Sequence, residues 1–127
     1  MNDGRVSVLI VDDQAPFRSA ARAVVALTPG FEVAAEAESG EEAVATAAAL
    51  EPDFVLMDIN LGAMSGIEAA RIIKEARPET VVVLVSTYQA DDLPADARTC
   101  GATAYVHKEE LEPRTLREVW GSHAASA

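Results

Sequence analysis

Five short aliphatic segments alternate with five helical segments along the chain, and this alternation restricts the fold more than any other feature. The predicted strands are residues 6–11, 31–35, 54–57, 81–85 and 102–106. The first, third and fourth are nearly continuous aliphatic runs, which is typical of parallel strands buried on both faces. The second alternates apolar and polar residues, so we predict that it lies at an edge of the sheet.

The segments between the strands have the periodicity and boundary residues of helices. The predicted helices are residues 16–27, 39–50, 65–76, 91–100 and 110–120. The apolar stripe of the first helix comprises Phe17, Ala20, Val24 and Leu27. Ser39 followed by Glu42 is typical of a capping box at the start of the second helix. Each of the six prolines falls between a helix and the next strand or in the first turn of a helix, where the missing N–H costs little.

Strict alternation of strands and helices predicts an α/β fold, a doubly wound sheet of five parallel strands flanked by five helices. The chain has 127 residues, the size of one domain, and half of them are hydrophobic, enough for one core. We therefore expect a single domain over residues 1–127, with a core at about 5–120. Residues 121–127 are predicted to be a short flexible tail, which favours a stand-alone protein.

Charge and composition exclude several classes of function. There are 21 acidic and 10 basic residues, giving a formal net charge of −11, which disfavours binding to nucleic acid or an anionic membrane. No apolar stretch is long enough to span a membrane, and the polar N-terminus has no apolar signal segment. With Cys100 as the single cysteine, no internal disulfide can form. These features predict a cytoplasmic protein.

Polar residues with metal-site and phosphate-site chemistry follow four of the predicted strands. They are Asp12, Asp13, Asp58, Ser86, Thr87 and Lys108. Taken singly, each has a simpler explanation, because Asp and Ser after a strand often cap the next helix and a loop lysine is usually solvated. Taken together, they would meet at the carboxyl edge of the sheet, where open parallel sheets bind ligands. Three carboxylates about 4 Å apart repel by roughly 1 to 4 kcal/mol per pair, so the cluster predicts a hard cation, most commonly Mg²⁺.

Four segments of the chain resemble the receiver domains of bacterial two-component response regulators. These segments are VLIVDDQ, VLMDINLGAMSG, VVVLVST and AYVHK, in this order and spacing. The resemblance covers nearly the whole chain and implies a flavodoxin-like receiver fold. It also implies phosphoryl transfer from a sensor histidine kinase to an aspartate in a Mg²⁺-dependent reaction, which makes the protein a self-phosphorylating switch rather than a turnover enzyme.

The resemblance assigns a role to each site residue. Asp58 would accept the phosphoryl group, Asp13 would bind Mg²⁺ directly, Asp12 would bind it mainly through water, and Asn60 would offer its backbone carbonyl. Lys108 would pair with Asp58 or its phosphoryl oxygens. Ser86, Thr87 and Tyr105 would form the switch, with Ser86 bonding the phosphoryl group and Tyr105 following it. The surface of the fourth helix, fifth strand and fifth helix would then bind a downstream protein or a second copy.

Three positions depart from the usual pattern of the family. Gly62 stands where proline is usual, Glu109 follows the lysine where a cis proline is usual, and Thr87 is bulkier than the usual small residue. In addition, Tyr88 would place a large ring on the approach of water to the phosphorylated aspartate, and we expect it to slow hydrolysis.

Three other interpretations share parts of this pattern. A flavodoxin-like module that binds FMN would need phosphate-binding donors after the first strand, where this chain has Asp12 and Asp13. An aspartate-dependent phosphatase would usually carry a D-x-D pattern there, and the two acids are adjacent here. A pseudo-receiver that only binds proteins would lack part of the set of acids, hydroxyl and lysine, which is complete in this chain.

Overall fold

Strands and helices alternate along the chain in the computed structural model, which describes residues 5–87 and 94–126. The strands are β1 (Val6–Val11), β2 (Phe31–Ala37), β3 (Phe54–Asp58), β4 (Val81–Ser86) and β5 (Ala104–His107). The α-helices are α1 (Ala15–Ala26), α2 (Gly40–Leu50), α3 (Gly66–Ala76) and α4 (Pro113–Ser126). Two short 3₁₀ helices, Ala95–Arg98 and Lys108–Glu110, lie on either side of β5.

The five strands form one parallel sheet in the order β2-β1-β3-β4-β5. This arrangement confirms the predicted doubly wound, flavodoxin-like α/β fold, with β2 at an edge. β1 and β3 are hydrogen-bonded neighbours, and Val11 lies opposite Met57 in their register. Because both strands end at the same edge, the residues that follow them are brought side by side.

Apolar side chains cover both faces of the sheet. Leu9 belongs to a buried cluster with side chains of α2 and α3, whereas its neighbours Val8 and Ile10 belong to a cluster with α1 and α4. Successive residues of a strand point to opposite faces, so the aliphatic runs read from the sequence supply both clusters at once.

Serine caps fix the starts of two helices next to the sheet edge. The Ser39 hydroxyl accepts the Glu42 N–H at 3.1 Å, and the Glu42 carboxylate accepts the N–H of Glu38 at 2.8 Å. The Ser39 cap of the predicted capping box is confirmed, whereas the reciprocal bond of Glu42 goes to Glu38, one residue before the N-cap. The Ser65 hydroxyl accepts the Glu68 N–H at 3.1 Å and opens α3 in the same way.

The region of the predicted fourth helix differs from the expectation. The described part of residues 91–100 contains the 3₁₀ helix Ala95–Arg98, so four α-helices are described instead of five. Gly101 has φ of +93°, a value that ends helical geometry directly after this segment. Tyr88 and residues 91–93 lie outside the described residues, so the expectation for Tyr88 stays a prediction.

Two further expectations are wrong at the ends of helices. Residues 121–126 continue α4 and do not form a loose tail, and the Trp120 and His123 rings lie 5.5 Å apart across one turn. In α1 the helix ends at Ala26, so Leu27 is 73% exposed, and the buried residues are Ala21 and Val25.

Over the described part of the chain, no helix is both long enough and apolar enough to span a membrane.

Candidate functional site

Three carboxylates meet at the carboxyl edge of β1 and β3. Asp12 and Asp13 directly follow β1, and Asp58 is the last residue of β3. One oxygen of each lies within 4.8 Å of the others. Asp12 and Asp58 are buried, whereas Asp13 is exposed. The structure thus brings together the three acids predicted to share a site, with one of them open to solvent.

Asp12 is held by contacts on both its backbone and its side chain. Its Oδ1 accepts the Gln14 N–H at 2.8 Å, and its backbone carbonyl accepts a hydrogen bond from Arg18 Nη1 at 2.8 Å. Its Oδ2 lies 2.8 Å from Lys108 Nζ. This contact is an ion pair, and Oδ2 has no hydrogen-bond partner among the described residues. A buried carboxylate oxygen that accepts no hydrogen bond has a lone pair available to coordinate a cation.

Lys108 places its ammonium group among these acids. Its Nζ is 2.8 Å from Asp12 Oδ2, 3.8 Å from Asp58 Oδ1, and 4.4 Å from the centre of the Phe17 ring. An ammonium over an aromatic face is attracted by the ring quadrupole. Sequence reasoning placed Phe17 only in the apolar stripe of α1. Its position four residues after Asp13, in the first turn beyond the acids, was the signal that it also faces the site.

The environment of Asp58 disfavours its charged form. The pKa of Asp58 is raised from 3.8 to about 6, chiefly by burial and further by the neighbouring Asp12 and Asp13 charges. The Lys108 charge and the N–H of Asn60, which bonds the carboxylate, lower this pKa and offset part of the rise. Asp58 is therefore an unusually basic carboxylate that is still mostly ionised at pH 7.

The raised pKa of Asp58 predicts a pH-dependent stability in the presence of EDTA. The folded pKa of about 6 exceeds the ordinary value of 3.8, so the folded state binds the proton more tightly. The resulting stabilisation is fully present below pH 3.8 and is lost as the pH rises through about 6. We expect the loss to be about 3 kcal/mol in the free energy of unfolding. Urea denaturation between pH 4 and 7 measures it, and the same series on Asp58→Asn should lack this component; parallel curves for the two proteins would contradict the shift.

The residues predicted to form the switch, Ser86, Thr87 and Tyr105, differ in their distance along the strands from the acids. Asp58 is opposite Val85 in the register of β3 and β4, which places the buried Ser86 beside the end of β3. Thr87 follows Ser86 and is exposed. Tyr105, on β5, is 36% exposed, and its hydroxyl donates to the carbonyl of Ala97 at 2.5 Å.

Two departures from the family pattern have direct structural counterparts. Gly62 has φ of +89°, which a proline ring, fixed near −65°, cannot adopt, so this loop follows a path that proline would forbid. The Lys108–Glu109 peptide bond is trans. Because residue 109 is glutamate and not proline, it keeps a backbone N–H at the position where the family usually has none.

Comparisons with known proteins agree with this geometry. A family model described as the response regulator receiver domain matches residues 8–120. The transcriptional regulatory protein DegU of Brevibacillus brevis is 33% identical over 109 residues, which are 86% of this chain and 46% of that protein. The response regulator GacA of Pseudomonas viridiflava is 35% identical over 103 residues, 81% of this chain and 48% of that protein. The chain thus spans about half the length of the curated relatives it matches.

Solved structures show the same arrangement of elements. A two-component response regulator of the LuxR family from Aurantimonas sp. SI85-9A1 superposes with a TM-score of 0.84 at 29% identity, covering 95% of this chain and 86% of that one. The response regulator domain of Thermotoga maritima CheB superposes with a TM-score of 0.83 at 27% identity, covering 94% and 97%.

Proposed function

This chain belongs to the response regulator receiver domain family, and on that basis we propose that it accepts a phosphoryl group on Asp58 from a sensor histidine kinase. The observation that carries the proposal is the position of Asp58, a buried carboxylate of raised pKa between two further acids and Lys108. We place the reaction in the cytoplasm, as a step in two-component signalling.

The chemistry needed for this transfer is charge neutralisation around the carboxylate nucleophile Asp58. An Asp58 carboxylate oxygen forms a bond to phosphorus while the phosphorus–nitrogen bond of the donor phosphohistidine breaks, and the departing imidazole takes a proton from solvent. Because the transition state is loose and its charge lies on the phosphoryl oxygens, nearby cations and donors lower the barrier. A pKa near 6 leaves Asp58 ionised and therefore nucleophilic at neutral pH.

The acids fit a Mg²⁺ ion. Asp12, Asp13 and Asp58 would hold it together with the backbone carbonyl of Asn60, all of them the oxygen ligands that Mg²⁺ prefers. The fit is supported by the carboxylate oxygens within 4.8 Å of one another and by the buried Asp12 Oδ2 that lacks a hydrogen bond. The metal would neutralise charge on the phosphoryl oxygens. In the structure, the Lys108 ammonium neutralises part of the charge of Asp12. Lys108 and Mg²⁺ would therefore compete for the Asp12 carboxylate.

The chain's own cation and hydroxyl complete the site. Lys108, 3.8 Å from Asp58 Oδ1, is close enough to move onto an oxygen of the phosphoryl group. Ser86, buried beside the end of β3, would donate its hydroxyl to another. We propose that this bond draws Ser86 and Thr87 inward and that Tyr105 follows, which is a population shift biased by a local charge. The domain would catalyse its own phosphorylation and dephosphorylation and would not turn over a separate substrate.

A groove beside β5 is lined mainly by acidic residues, which indicates that a signalling partner would be positively charged there. The groove has a volume of about 430 Å³ and is lined by Tyr105 and by residues of the turn and helix that follow β5. Its charged lining residues are Glu109, Glu110, Glu112, Arg114 and Glu118. Like charges would meet if two copies paired through this groove, so we propose a basic protein segment as the occupant in preference to a homodimer. The net charge of −11 still argues against nucleic acid as a partner of this chain alone.

The Mg²⁺ dependence of phosphorylation tests the proposed function. We expect phosphoramidate to add one phosphoryl group to the intact protein in Mg²⁺ and none in EDTA, as read by mass spectrometry. Asp13→Ala should raise the half-saturating Mg²⁺ concentration by about tenfold or more, because its exposed carboxylate is the proposed direct ligand. Asp12→Ala should raise it less.

Asp96→Ala is the matched control for these variants. Asp96 is an exposed carboxylate on the 3₁₀ helix Ala95–Arg98, away from the three acids, so its loss should leave the Mg²⁺ dependence unchanged. Equal Mg²⁺ dependence in the wild type and in both site variants would contradict the metal site. Phosphorylation that persists in EDTA would contradict the proposed mechanism.

A further inference from the structure

The imidazole of His107 connects the end of β4, which carries Ser86, to the turn after β5, which carries Lys108. His107 is the last residue of β5 and lies opposite Ser86 in the register with β4. Its Nε2 is 3.1 Å from the backbone carbonyl oxygen of Thr87. Its Nδ1 accepts the backbone N–H of Glu109 at 3.1 Å. One ring therefore contacts the residue after Ser86 and the residue after Lys108.

These two contacts determine the tautomer of His107. A carbonyl oxygen can only accept a hydrogen bond, so Nε2 must carry the proton toward Thr87. A backbone N–H can only donate, so Nδ1 must present its lone pair to Glu109. We therefore assign the neutral Nε2–H form of His107, because no other form satisfies both partners.

The contact with Glu109 fixes the turn from which Lys108 extends. His107 is the N-cap residue of the 3₁₀ helix Lys108–Glu110, and its side chain accepts the N–H of Glu109 there. A proline at position 109 would have no N–H to offer, so this bond is available only because Glu109 stands there. The direction of the Lys108 backbone, and hence the reach of its ammonium toward Asp12 and Asp58, depends on the geometry of this turn.

We propose that His107 is a positioning residue that ties the Lys108 turn to the Ser86–Thr87 end of β4. The ring fixes the distance between the backbone segments that carry the Ser86 hydroxyl and the Lys108 ammonium. Both groups therefore reach the phosphoryl oxygens in one arrangement, and they move together when Ser86 is drawn inward. This inference rests on the proposed function, since Ser86 and Lys108 act together only if Asp58 is phosphorylated. The hydrogen bonds of the His107 ring go to Thr87 and Glu109 and not to the acids.

Three variants separate this role from a general structural one. His107→Phe keeps a ring but removes both hydrogen bonds, and we expect the rate of phosphorylation by phosphoramidate to fall roughly tenfold. His107→Asn keeps an acceptor for the Glu109 N–H and should lose less. The half-saturating Mg²⁺ concentration should not rise in either variant, because the acids are untouched and a displaced Lys108 would compete less with Mg²⁺ for Asp12. His123→Phe is the matched control: His123 packs on Trp120 in α4, so this change should leave the rate unaltered.

A double-mutant cycle tests whether His107 acts through Lys108. In the Lys108→Ala background, His107→Phe should lower the rate by no more than about twofold, because the group that it positions is gone. A tenfold loss in both backgrounds, or no loss in the wild-type background, would overturn the positioning role. An equal fall of Mg²⁺ affinity and rate in His107→Phe would also overturn it.

Nitrogen chemical shifts of the imidazole give a test that needs no phosphorylation. The wild-type protein should show the Nε2–H tautomer for His107, and His107→Phe should shift the amide signals of Thr87 and Glu109. An Nδ1–H tautomer would overturn the tie between the strands. If the wild type takes up no phosphoryl group on Asp58, the proposed function fails and the positioning role fails with it, while the tautomer still decides whether the tie exists.

Discussion

Replacing Asp58 with asparagine is expected to abolish phosphorylation of the protein by phosphoramidate in the presence of Mg²⁺. The amide has nearly the shape of the carboxylate but lacks the negative charge and the basicity that make the oxygen a nucleophile. The variant should stay folded, because the site disfavours the charged form that the substitution removes. Intact-mass spectrometry should therefore show one added phosphoryl group on the wild type and none on Asp58→Asn, at equal protein concentration and reaction time.

Asp96→Asn provides the control for the Asp58 substitution, since it makes the same chemical change at an exposed aspartate outside the site. It should be phosphorylated at the wild-type rate. Peptide mapping of the phosphorylated wild type should locate the group on the segment that contains Asp58. Uptake of one phosphoryl group by Asp58→Asn, at the wild-type rate and at no new position, would show that Asp58 is not the acceptor.

The parallel sheet and the position of the acids at its carboxyl edge could be predicted because both follow from local sequence. Aliphatic runs of strand length separated by helical segments fix a parallel sheet, and the residues after each run must then lie at one edge. Asp12, Asp13 and Asp58 meet because they lie at this edge, at the ends of β1 and β3, which are neighbours in the sheet. The capping box at Ser39 was readable for a similar reason, since its partners lie within four residues.

The contacts that orient Lys108 could not be predicted in the same way. The Phe17 ring under its ammonium and the His107 bridge from Thr87 to Glu109 join residues that are far apart in sequence or depend on the path of a turn. Each residue type also has a more common role, in a core or on a surface. Only the register of the sheet, with Ser86 opposite His107, brings these groups within bonding distance.

The errors at helix ends have a shared physical cause. Helix boundaries depend on capping and on tertiary contacts more than on the periodicity of apolar residues. The stripe predicted for α1 continued to Leu27, one residue beyond the helix, whereas burial follows Ala21 and Val25. Gly121 suggested the end of the last helix, but α4 continues through it to Ser126.

Gly66→Ala is expected to lower the free energy of unfolding by about 4 kcal/mol or more, a size that follows from forced overlap with backbone. Gly66 is the first residue of α3, and its N–H donates to the carbonyl of Ile59 at 2.9 Å. A methyl group at this position would lie 1.9 Å from the backbone oxygen of Asp58 and 2.8 Å from its carbonyl carbon. Because both neighbours are backbone atoms, relief requires α3 to move away from β3, which would displace the site as well as weaken the fold.

Gly121→Ala adds the same methyl group at a position where it meets no steric clash. Apart from the adjoining backbone of α4 itself, no atom lies within 4 Å of the added carbon. Gly121 is inside α4, where alanine exceeds glycine in helix propensity by up to about 1 kcal/mol. This variant should therefore be slightly more stable than the wild type. Urea denaturation followed by the fluorescence of Trp120, which packs on Phe31 and Phe54, measures both variants. A Gly66→Ala protein within about 1 kcal/mol of the wild type would mean that α3 does not press on the end of β3 as described. A destabilised Gly121→Ala protein would argue against α4 extending beyond Trp120.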